Sequence, residues 1–267
     1  MTNTVQYRGD VSNRLSSASI WHDCPWLEIK SGTVDGHAFF DDFIEFDPPT
    51  IAGEATDKYY GIGDTTATIT SLANTDHGAI NFNPAAGTDN DQMILVRGFE
   101  SGFARFGPSD KVWFEGRLSK ASIANNALGF FLGFTEPENI GIGDVTLQDN
   151  DTDPDFSEDF IGFNCLAADG DVVECIYQEG GGTLVNVGDV NTAIAAATFY
   201  KYGFRFDGPA GQLTYYIDGV LAQTLSVTSA LAFPDVNHLS MIYTAKIGAG
   251  AAVLSQLDWW KCAALTV

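Results

Sequence analysis

Residues 213–222 read LTYYIDGVLA, two short apolar segments joined by Asp218 and Gly219. Asp-Gly is the dipeptide whose positive φ angles suit the type I′ turn of a two-residue β-hairpin. Aromatic and branched apolar side chains occupy the positions on either side of it, as they commonly do in strands. The stretch therefore predicts an antiparallel hairpin with its turn at Asp218 and Gly219.

Segments of the same kind recur along the chain, each bounded by Gly, Asp, Asn or Pro, which is the pattern of strands and turns. Helical periodicity is weak because 28 glycines interrupt the sequence, and Asn191–Ala197 is the best candidate for a short helix. We therefore predict an all-β fold, a two-sheet antiparallel β-sandwich of the jelly-roll type, which hides the edges of its sheets. The main predicted strands are Met93–Val96, Val112–Leu118, Gly129–Phe134, Phe160–Cys165, Val172–Gln178, Tyr200–Asp207, Leu213–Asp218, Val220–Val227, Leu239–Tyr243 and Gln256–Ala263.

The N-terminal residues lack strand alternation yet contain Trp21, Pro25 and Trp26. An aromatic segment without a regular pattern is expected to dock on an apolar surface. We interpret residues 1–36 as an extended N-terminal arm that docks on its own sandwich or on a partner, and residues 37–267 as one jelly-roll domain. Trp21, Pro25 and Trp26 are the predicted anchors.

The charge of the chain narrows the choice of partners. The 267 residues include 13 Lys and Arg and 35 Asp and Glu, which gives a net charge of −22. This charge repels a phosphate backbone, so we expect no nucleic-acid partner. The N-terminus lacks the apolar segment of a secretory signal. The longest weakly polar runs, Thr192–Tyr200 and Ile247–Leu254, are far shorter than the roughly 20 residues of a membrane span. We expect no membrane partner. On an assembly, the negative net charge favours a position on the outer surface over one that faces packaged DNA.

The cysteines do not form a recognisable disulfide or zinc pattern, since there are only four in a long chain. Cys165 and Cys175 flank a predicted turn at residues 168–171, so they could face each other across two strands and oxidise outside a cell. The alternative, which we favour, is a pair of buried free thiols.

The stretch FIEFDPPT, residues 43–50, is similar to part of a glycosidase site. One family of β-sandwich glucanases carries Glu-x-Asp-x-x-Glu on a single strand, where alternation points all three carboxylates towards the sugar. Glu45 and Asp47 match the first two positions, but Thr50 occupies the third. A retaining glycosidase needs two carboxyl groups about 5 Å apart, and Thr50 cannot supply one.

Other signals of catalysis are weaker. Period-2 alternation places Ile44 and Phe46 inward and leaves the two acidic residues in water. We therefore predict a protein that is not an enzyme. The four histidines match no metal-ligand or nucleophile spacing: His22, His37, His77 and His238.

The acidic segment of residues 144–159 is the best candidate for an ion site. Ca²⁺ takes six to eight oxygen ligands, but Pro154 stands where an EF-hand loop needs Gly, and Phe160 stands where it needs Glu. We expect no cofactor and favour a solvated loop, with calcium as the open alternative. The acidic residues concerned are Asp149, Asp151, Asp153 and Asp155.

Two adjacent tryptophans lie in the last predicted strand. In residues 256–262 alternation buries only one of Trp259 and Trp260, so the other is expected to face a partner or to be covered by the arm. Aromatic residues are enriched at interface centres. We predict Trp259 as a further partner contact.

Several motifs together resemble the concanavalin A-like lectin/glucanase sandwiches, also called laminin G-like. Their order and spacing match that fold from about residue 37 to the C-terminus. The motifs are DDF at 41–43, WFEGRL at 113–118, GFFLGFT at 129–135, FIGF at 160–163 and YIDG at 216–219.

More narrowly, IWHDCPW at 20–26, GHAFFDDF at 36–43, GAINF at 78–82 and GTDNDQ at 87–92 are similar to structural proteins of tailed phages. This resemblance implies a capsid decoration or cement protein without catalysis. Such a protein would bind the major capsid protein lattice on the outer surface of the virion and form a homo-oligomer. The rival interpretation is a carbohydrate-binding module on a phage tail or cell surface, with a glycan as its ligand.

Overall fold

The computed structural model consists of two antiparallel sheets packed face to face, which confirms the predicted all-β sandwich. Its elements in chain order are α1 (Ala18–Trp21), α2 (Trp26–Ser31), β1 (Gly36–Asp41), β2 (Ala52–Ala55), β3 (Tyr60–Gly63), β4 (Thr68–Ser71), β5 (Ile80–Asn83), β6 (Gln92–Arg97), β7 (Ala104–Arg105), β8 (Asp110–Lys120), β9 (Leu128–Thr135), β10 (Phe160–Cys165), β11 (Val173–Gln178), β12 (Val185–Asn191), β13 (Tyr200–Asp207), β14 (Gln212–Ile217), β15 (Val220–Ser226), β16 (His238–Ile247) and β17 (Ser255–Thr266). The structure describes residues 17–49, 52–55, 58–64, 66–72, 78–84, 91–99, 101–137, 140, 158–191, 193–227, 233–248 and 253–266.

The strands divide into an eight-stranded sheet A and a nine-stranded sheet B. Sheet A has the order β15-β14-β13-β8-β17-β5-β4, and β1 pairs with β17. Sheet B has the order β12-β11-β10-β9-β16-β6-β3-β2, and β7 pairs with β16. The two longest strands, β8 and β17, are neighbours at the centre of sheet A. The first strand, β1, pairs with the last strand, β17, so both lie in this sheet.

The hairpin predicted from LTYYIDGVLA is present between β14 and β15. Ile217 pairs with Val220, and the two residues between them, Asp218 and Gly219, have φ angles of 50° and 80°. Positive φ at both central positions is the requirement of a type I′ turn. The prediction is confirmed.

The short helix predicted at Asn191–Ala197 is wrong. Asn191 is the last residue of β12, which pairs with β11, and residues 193–199 form loop and turn. Ala197 has a φ angle of 53°, which lies outside the right-handed helical region. Pairing of β12 along the sheet edge outweighs the weak local helix propensity, since sheet formation depends on tertiary context.

The main core lies between the sheets and is rich in phenylalanine. Phe134 of sheet B contacts Phe114 and Phe204 of sheet A, with ring centroids 5.1 Å and 5.9 Å apart. All three side chains are fully buried. Because inward and outward residues alternate along each strand, the inward set of each sheet meets that of the other.

Each sheet also buries apolar residues on its outer face, which antiparallel sheets often leave to water. On sheet B, Phe131, Ile176 and Ile242 belong to a second apolar cluster with Ile140. On sheet A, a third cluster includes Trp113 of β8 and lies against the two helices.

The described part of the arm, residues 17–36, differs from the extended segment predicted. It contains the two short helices, separated at Pro25, whose ring suits a helix start but not a helix interior. Gly32, with a φ angle of 69°, ends α2 in the left-handed conformation typical of helix C-termini. Neither helix is long and apolar enough to cross a membrane, and the rest of the described chain adds no other candidate.

All four cysteines are free, and three of them are buried. In the register of β10 and β11, Cys175 lies opposite Phe163, whereas Cys165 is two residues further along β10. The two thiols therefore do not face each other as a cross-strand pair. The favoured prediction of buried free thiols agrees with this arrangement.

Candidate functional site

The docked segment, residues 17–36, covers part of the outer face of sheet A. Ile20 of α1 and Ile29 of α2 are 0% and 5% exposed and pack in one cluster with Trp113 and Ala263. Burial of these apolar side chains favours docking of the segment on its own sandwich. Of the two docking modes left open by the sequence, these residues adopt the intramolecular one.

The buried carboxylate of Glu115 is the first polar anchor of the docked segment. Glu115 is fully buried, and its two carboxylate oxygens accept hydrogen bonds from the Ser17 backbone N–H at 3.1 Å and 2.9 Å. Oε2 also accepts one from Trp21 Nε1 at 2.9 Å. Burial raises the pKa of Glu115, and the Ser17 and Trp21 donors oppose that shift. A buried charge-assisted acceptor of this kind makes attachment directional.

Lys261 is the second polar anchor, and it lies directly opposite Glu115 in the pairing of β17 with β8. Its Nζ is 4.0 Å from the ring centroid of Trp21 and 4.3 Å from that of Trp26. Cation–π contacts of this kind contribute about 2 kcal/mol when the cation is desolvated. Burial lowers the pKa of Lys261 from 10.5 to about 8, against the opposing influence of Glu115.

A third anchor holds the turn between α1 and α2. Trp113 Nε1 donates a hydrogen bond to Asp23 Oδ1 at 3.0 Å, and the guanidinium of Arg205 pairs with Asp23 Oδ2. Arg205 also contacts Asp207 at 3.1 Å. The docked segment is thus held at both helices and at the turn between them.

The docked segment still presents apolar side chains to solvent. The predicted anchors Trp21, Pro25 and Trp26 are only partly buried, and Leu27, which no sequence pattern indicated, is 52% exposed. Two of these anchors, Trp21 and Trp26, already contact Lys261 of the same chain. Contact of this surface with a partner remains a prediction.

Both adjacent tryptophans are buried by their own chain, although only one of them, Trp260, lies in the main core. Trp259 and Trp260 are 2% and 0% exposed. Trp260 packs in the main core between the sheets. Trp259 lies on the opposite face of β17, which it shares with Lys261 and Ala263, and its ring centroid is 6.4 Å from that of Phe40. A register shift between Leu257 and Trp259 also leaves Asp258 as an extra residue opposite β8. Asp258 forms a buried ion pair with Arg117. A partner contact by Trp259 remains untested, and it would require movement of the side chains that bury it.

The residues that resemble a glucanase motif lie in a loop after β1 rather than on a strand. Glu45 and Asp47 are exposed, as expected, and Phe46 packs partly against the core. Ile44 is 63% exposed, so its predicted inward position is wrong. The cause is the loop conformation, in which alternation does not apply; Thr50 lies outside the described residues.

The calcium candidates Asp149, Asp151, Asp153 and Asp155 also lie outside the described residues. Within the described part of the chain, no group of three or more His, Cys, Asp or Glu side chains is arranged to hold a metal ion.

A polar cleft at one end of the sandwich is the site that sequence reasoning missed. Its volume is about 290 Å³. Asp110 organises one wall, because its carboxylate accepts hydrogen bonds from Arg105 Nε at 2.8 Å, Gly107 N–H at 2.9 Å and Thr266 Oγ1 at 3.1 Å. The polar side chains lining the cleft are Asp35, His37, Arg105, Asp110, His238 and Thr266.

Two histidines from opposite ends of the chain meet at this cleft. The ring of His37 packs edge-on against Phe103 at 4.6 Å. Partial burial lowers the pKa of His37, and the nearby His238 lowers it further. Pairing of β1 with β17 and of β7 with β16 assembles the cleft, so no local motif in the sequence could have indicated it.

Comparison with known proteins supports the fold. No protein-family model matches the chain, and no curated protein matches its sequence. A protein of unknown function from Shewanella oneidensis MR-1 shares 14% identity over 91% of this chain and 94% of that chain, with a TM-score of 0.57. A β-glucanase from Bacillus licheniformis shares 15% identity over 85% and 98%, with a TM-score of 0.52. Peanut lectin shares 14% identity over 88% and 99%, with a TM-score of 0.52.

These similarities establish the fold as a concanavalin A-like jelly roll, as the sequence motifs implied. Identity near 15% carries no further inference about activity. The same architecture occurs in a lectin and in a glucanase, so the fold alone leaves catalysis open.

Proposed function

We propose that this chain is a non-enzymatic structural protein that decorates the capsid of a tailed phage, bound to the major capsid protein lattice at the outer surface of the virion. One observation supports this most directly. The docked segment is fixed to sheet A by Glu115 and Lys261, yet it presents Leu27 and the partly buried Pro25 and Trp26 to solvent. An apolar patch on a rigid base loses little conformational entropy when it binds.

A lattice protein of this kind needs no catalytic centre. Each contact forms only on the intact lattice, so binding stabilises the assembled shell by linkage. The exposed loop that carries Glu45 and Asp47 fits a non-catalytic role, because neither carboxylate is held on a strand facing a cleft. Self-association around a lattice symmetry point is part of the proposal, and the net charge of −22 suits an outer surface.

The test is co-sedimentation with expanded capsids of the tailed phage that encodes the chain. We expect the wild-type protein to pellet with capsids and Leu27→Asp to bind about tenfold more weakly, as for loss of an apolar interface contact. Val236→Asp is the matched control, because Val236 is 66% exposed and has no described contact with the docked segment. Failure of the wild-type protein to bind capsids would refute the proposal.

The end cleft favours a second candidate function, carbohydrate binding. Its histidine, arginine and carboxylate groups can both donate and accept hydrogen bonds, and about 290 Å³ is at the small end of ligand pockets. Screening on a glycan array tests this candidate. Binding that is lost in His238→Ala would support it, and loss of binding on chelation would further implicate calcium. Capsid binding without any glycan signal would exclude it.

A further inference from the structure

Lys120 is a lysine buried inside the main core. It lies at the end of β8 in sheet A and is 2% exposed. Its Nζ donates a hydrogen bond to the backbone oxygen of Leu128 at 2.5 Å, and it lies 3.4 Å from Sγ of Cys165 on β10 of sheet B. The amine of one sheet therefore contacts the thiol of the other.

This position is costly for a lysine. A buried ammonium needs a charged partner or several good acceptors to offset its lost hydration. Among the described residues, the hydrogen-bond partners of Lys120 are a carbonyl and a thiol rather than a carboxylate.

The surroundings of the pair are both polar and enclosed. Cys165 is fully buried, and the nearby Tyr202 hydroxyl is buried without a hydrogen-bond partner within the described ranges of the chain. Burial raises the pKa of the Cys165 thiol, while Lys120 opposes that shift. No second cysteine is in cross-strand register with Cys165, because Cys175 pairs with Phe163.

We propose that Lys120 and Cys165 form a covalent lysine–cysteine cross-link through a single oxygen atom when the folded chain meets dioxygen. Written with –SH and –NH₂, the thiol loses its S–H hydrogen, the amine loses one N–H hydrogen, and the O–O bond breaks. One oxygen atom forms the S–O and O–N bonds, and the other leaves as water. Sulfur and nitrogen each give up two electrons, which together supply the four that dioxygen accepts.

The cross-link joins sheet A to sheet B through β8 and β10, so it would fasten the two layers of the sandwich. It depends on the adjacent amine, which distinguishes Cys165 from the other buried thiols. Cys175 and Cys262 are also fully buried, and in the described part of the chain neither has an ammonium group within hydrogen-bond distance of its sulfur. These two cysteines provide matched controls.

The experiment is intact-mass spectrometry of the full chain, purified under a reducing phosphine and then held in air-saturated buffer. We expect a gain of about 14 Da, one oxygen added and two hydrogens lost, reversed by thiol reductant as for other reversible cysteine oxidations. After denaturation in maleimide, one of the four cysteines should no longer react. Fragmentation should identify one branched peptide containing Lys120 and Cys165.

The mass gain should disappear in Lys120→Met and in Cys165→Ser, and persist in Cys175→Ser and Cys262→Ser. Circular dichroism of each variant separates loss of the link from loss of the fold, and the wild-type measurement stands independently of any variant. An unchanged mass in air, or gains of about 16 or 32 Da from sulfur oxidation alone, would overturn the proposal. Neither outcome bears on capsid or glycan binding.

Discussion

Asn164 is a polar side chain buried on the apolar outer face of sheet B. It is fully buried, and among the described residues neither its amide nitrogen nor its amide oxygen has a hydrogen-bond partner. In the register of the sheet it lies beside Phe131, which in turn lies beside Thr244. The hydroxyl of Thr244 is also buried, and no partner for it is found in the described part of the chain. Buried polar groups of this kind are rare in folded proteins and reduce stability.

We predict that Asn164→Leu stabilises the protein. Leucine has a similar shape and removes an amide whose desolvation cost is not offset by hydrogen bonds. The free energy of unfolding should therefore rise by about 1 kcal/mol. Urea denaturation measures the change, and Thr244→Val should act in the same direction. A loss of stability would show that the Asn164 amide holds a water molecule or a ligand that the leucine displaces.

Lys261 gives the docked segment a pH dependence of defined sign. Burial lowers its pKa from 10.5 to about 8, so the folded chain releases this proton at a lower pH than the unfolded chain. Between about pH 8 and 10.5 the unfolded state binds more protons, and stability contributed by this group rises with pH. Below pH 8 both states are protonated, and the contribution no longer changes.

We therefore predict that the difference in the free energy of unfolding between wild type and Lys261→Met changes with pH only above pH 8. From there towards pH 10.5 the wild-type protein should gain stability over the variant, by at most about 1.4 kcal/mol per pH unit. Chemical denaturation of both proteins from pH 6 to 10 measures it. The facing groups Glu115 and Cys24 are common to both proteins. A difference that is constant, or that shrinks as the pH rises, contradicts the argument.

At the scale of elements, the docked segment is held mainly by side chains rather than by backbone pairing. Its helices α1 and α2 contain four and six residues, which is too short for stability in isolation. Their helical state therefore depends on burial of Ile20 and Ile29 and on the anchors Glu115 and Lys261. Loss of one anchor should release the segment while the sandwich remains folded.

Trp21→Ala tests this dependence. It removes the hydrogen bond to Glu115 and the contact with Lys261, which should cost about 2 kcal/mol of docking free energy. Tryptic cleavage at Lys30 in α2 should then be about thirty times faster, because cleavage requires local opening. Leu27→Ala is the matched control, since Leu27 is 52% exposed, and it should leave the rate unchanged. Equal rates in all three proteins would refute the anchoring role of Trp21.

The elements also show which features a sequence can predict. The β14–β15 hairpin followed from the dipeptide Asp218-Gly219, whose backbone preference is local. The bulge at Asp258 could not be predicted, because it exists only in the register of β17 with β8. The burial of Trp259 was missed because it depends on Phe40, a residue distant in sequence that packs on the same outer face. The end cleft, built from strand pairs distant in sequence, likewise gave no local signal.

At the scale of the whole molecule, excess negative charge is the dominant electrostatic feature. The chain carries 13 basic and 35 acidic residues, a net charge of −22. Several of its cations are taken up in ion pairs on sheet A, including Arg117 with Asp258 and Arg205 with Asp23. The acidic side chains in excess therefore repel one another in the folded state.

We predict that added salt stabilises the folded protein, most steeply at low concentration. The Debye length falls from about 30 Å at 0.01 M to about 8 Å at 0.15 M, so repulsion across the sandwich should be largely screened within that range. Each kcal/mol gained raises the melting temperature by about 2–4 °C in a chain of this size. Calorimetry in NaCl should show most of the gain below 0.2 M, whereas an equivalent series in sucrose, which does not screen charge, should show no such early rise. A melting temperature that is flat or falls between 0.01 and 0.2 M would mean that the acidic groups are spaced too widely to repel one another, and the surface charge would then have to be explained by partner binding alone.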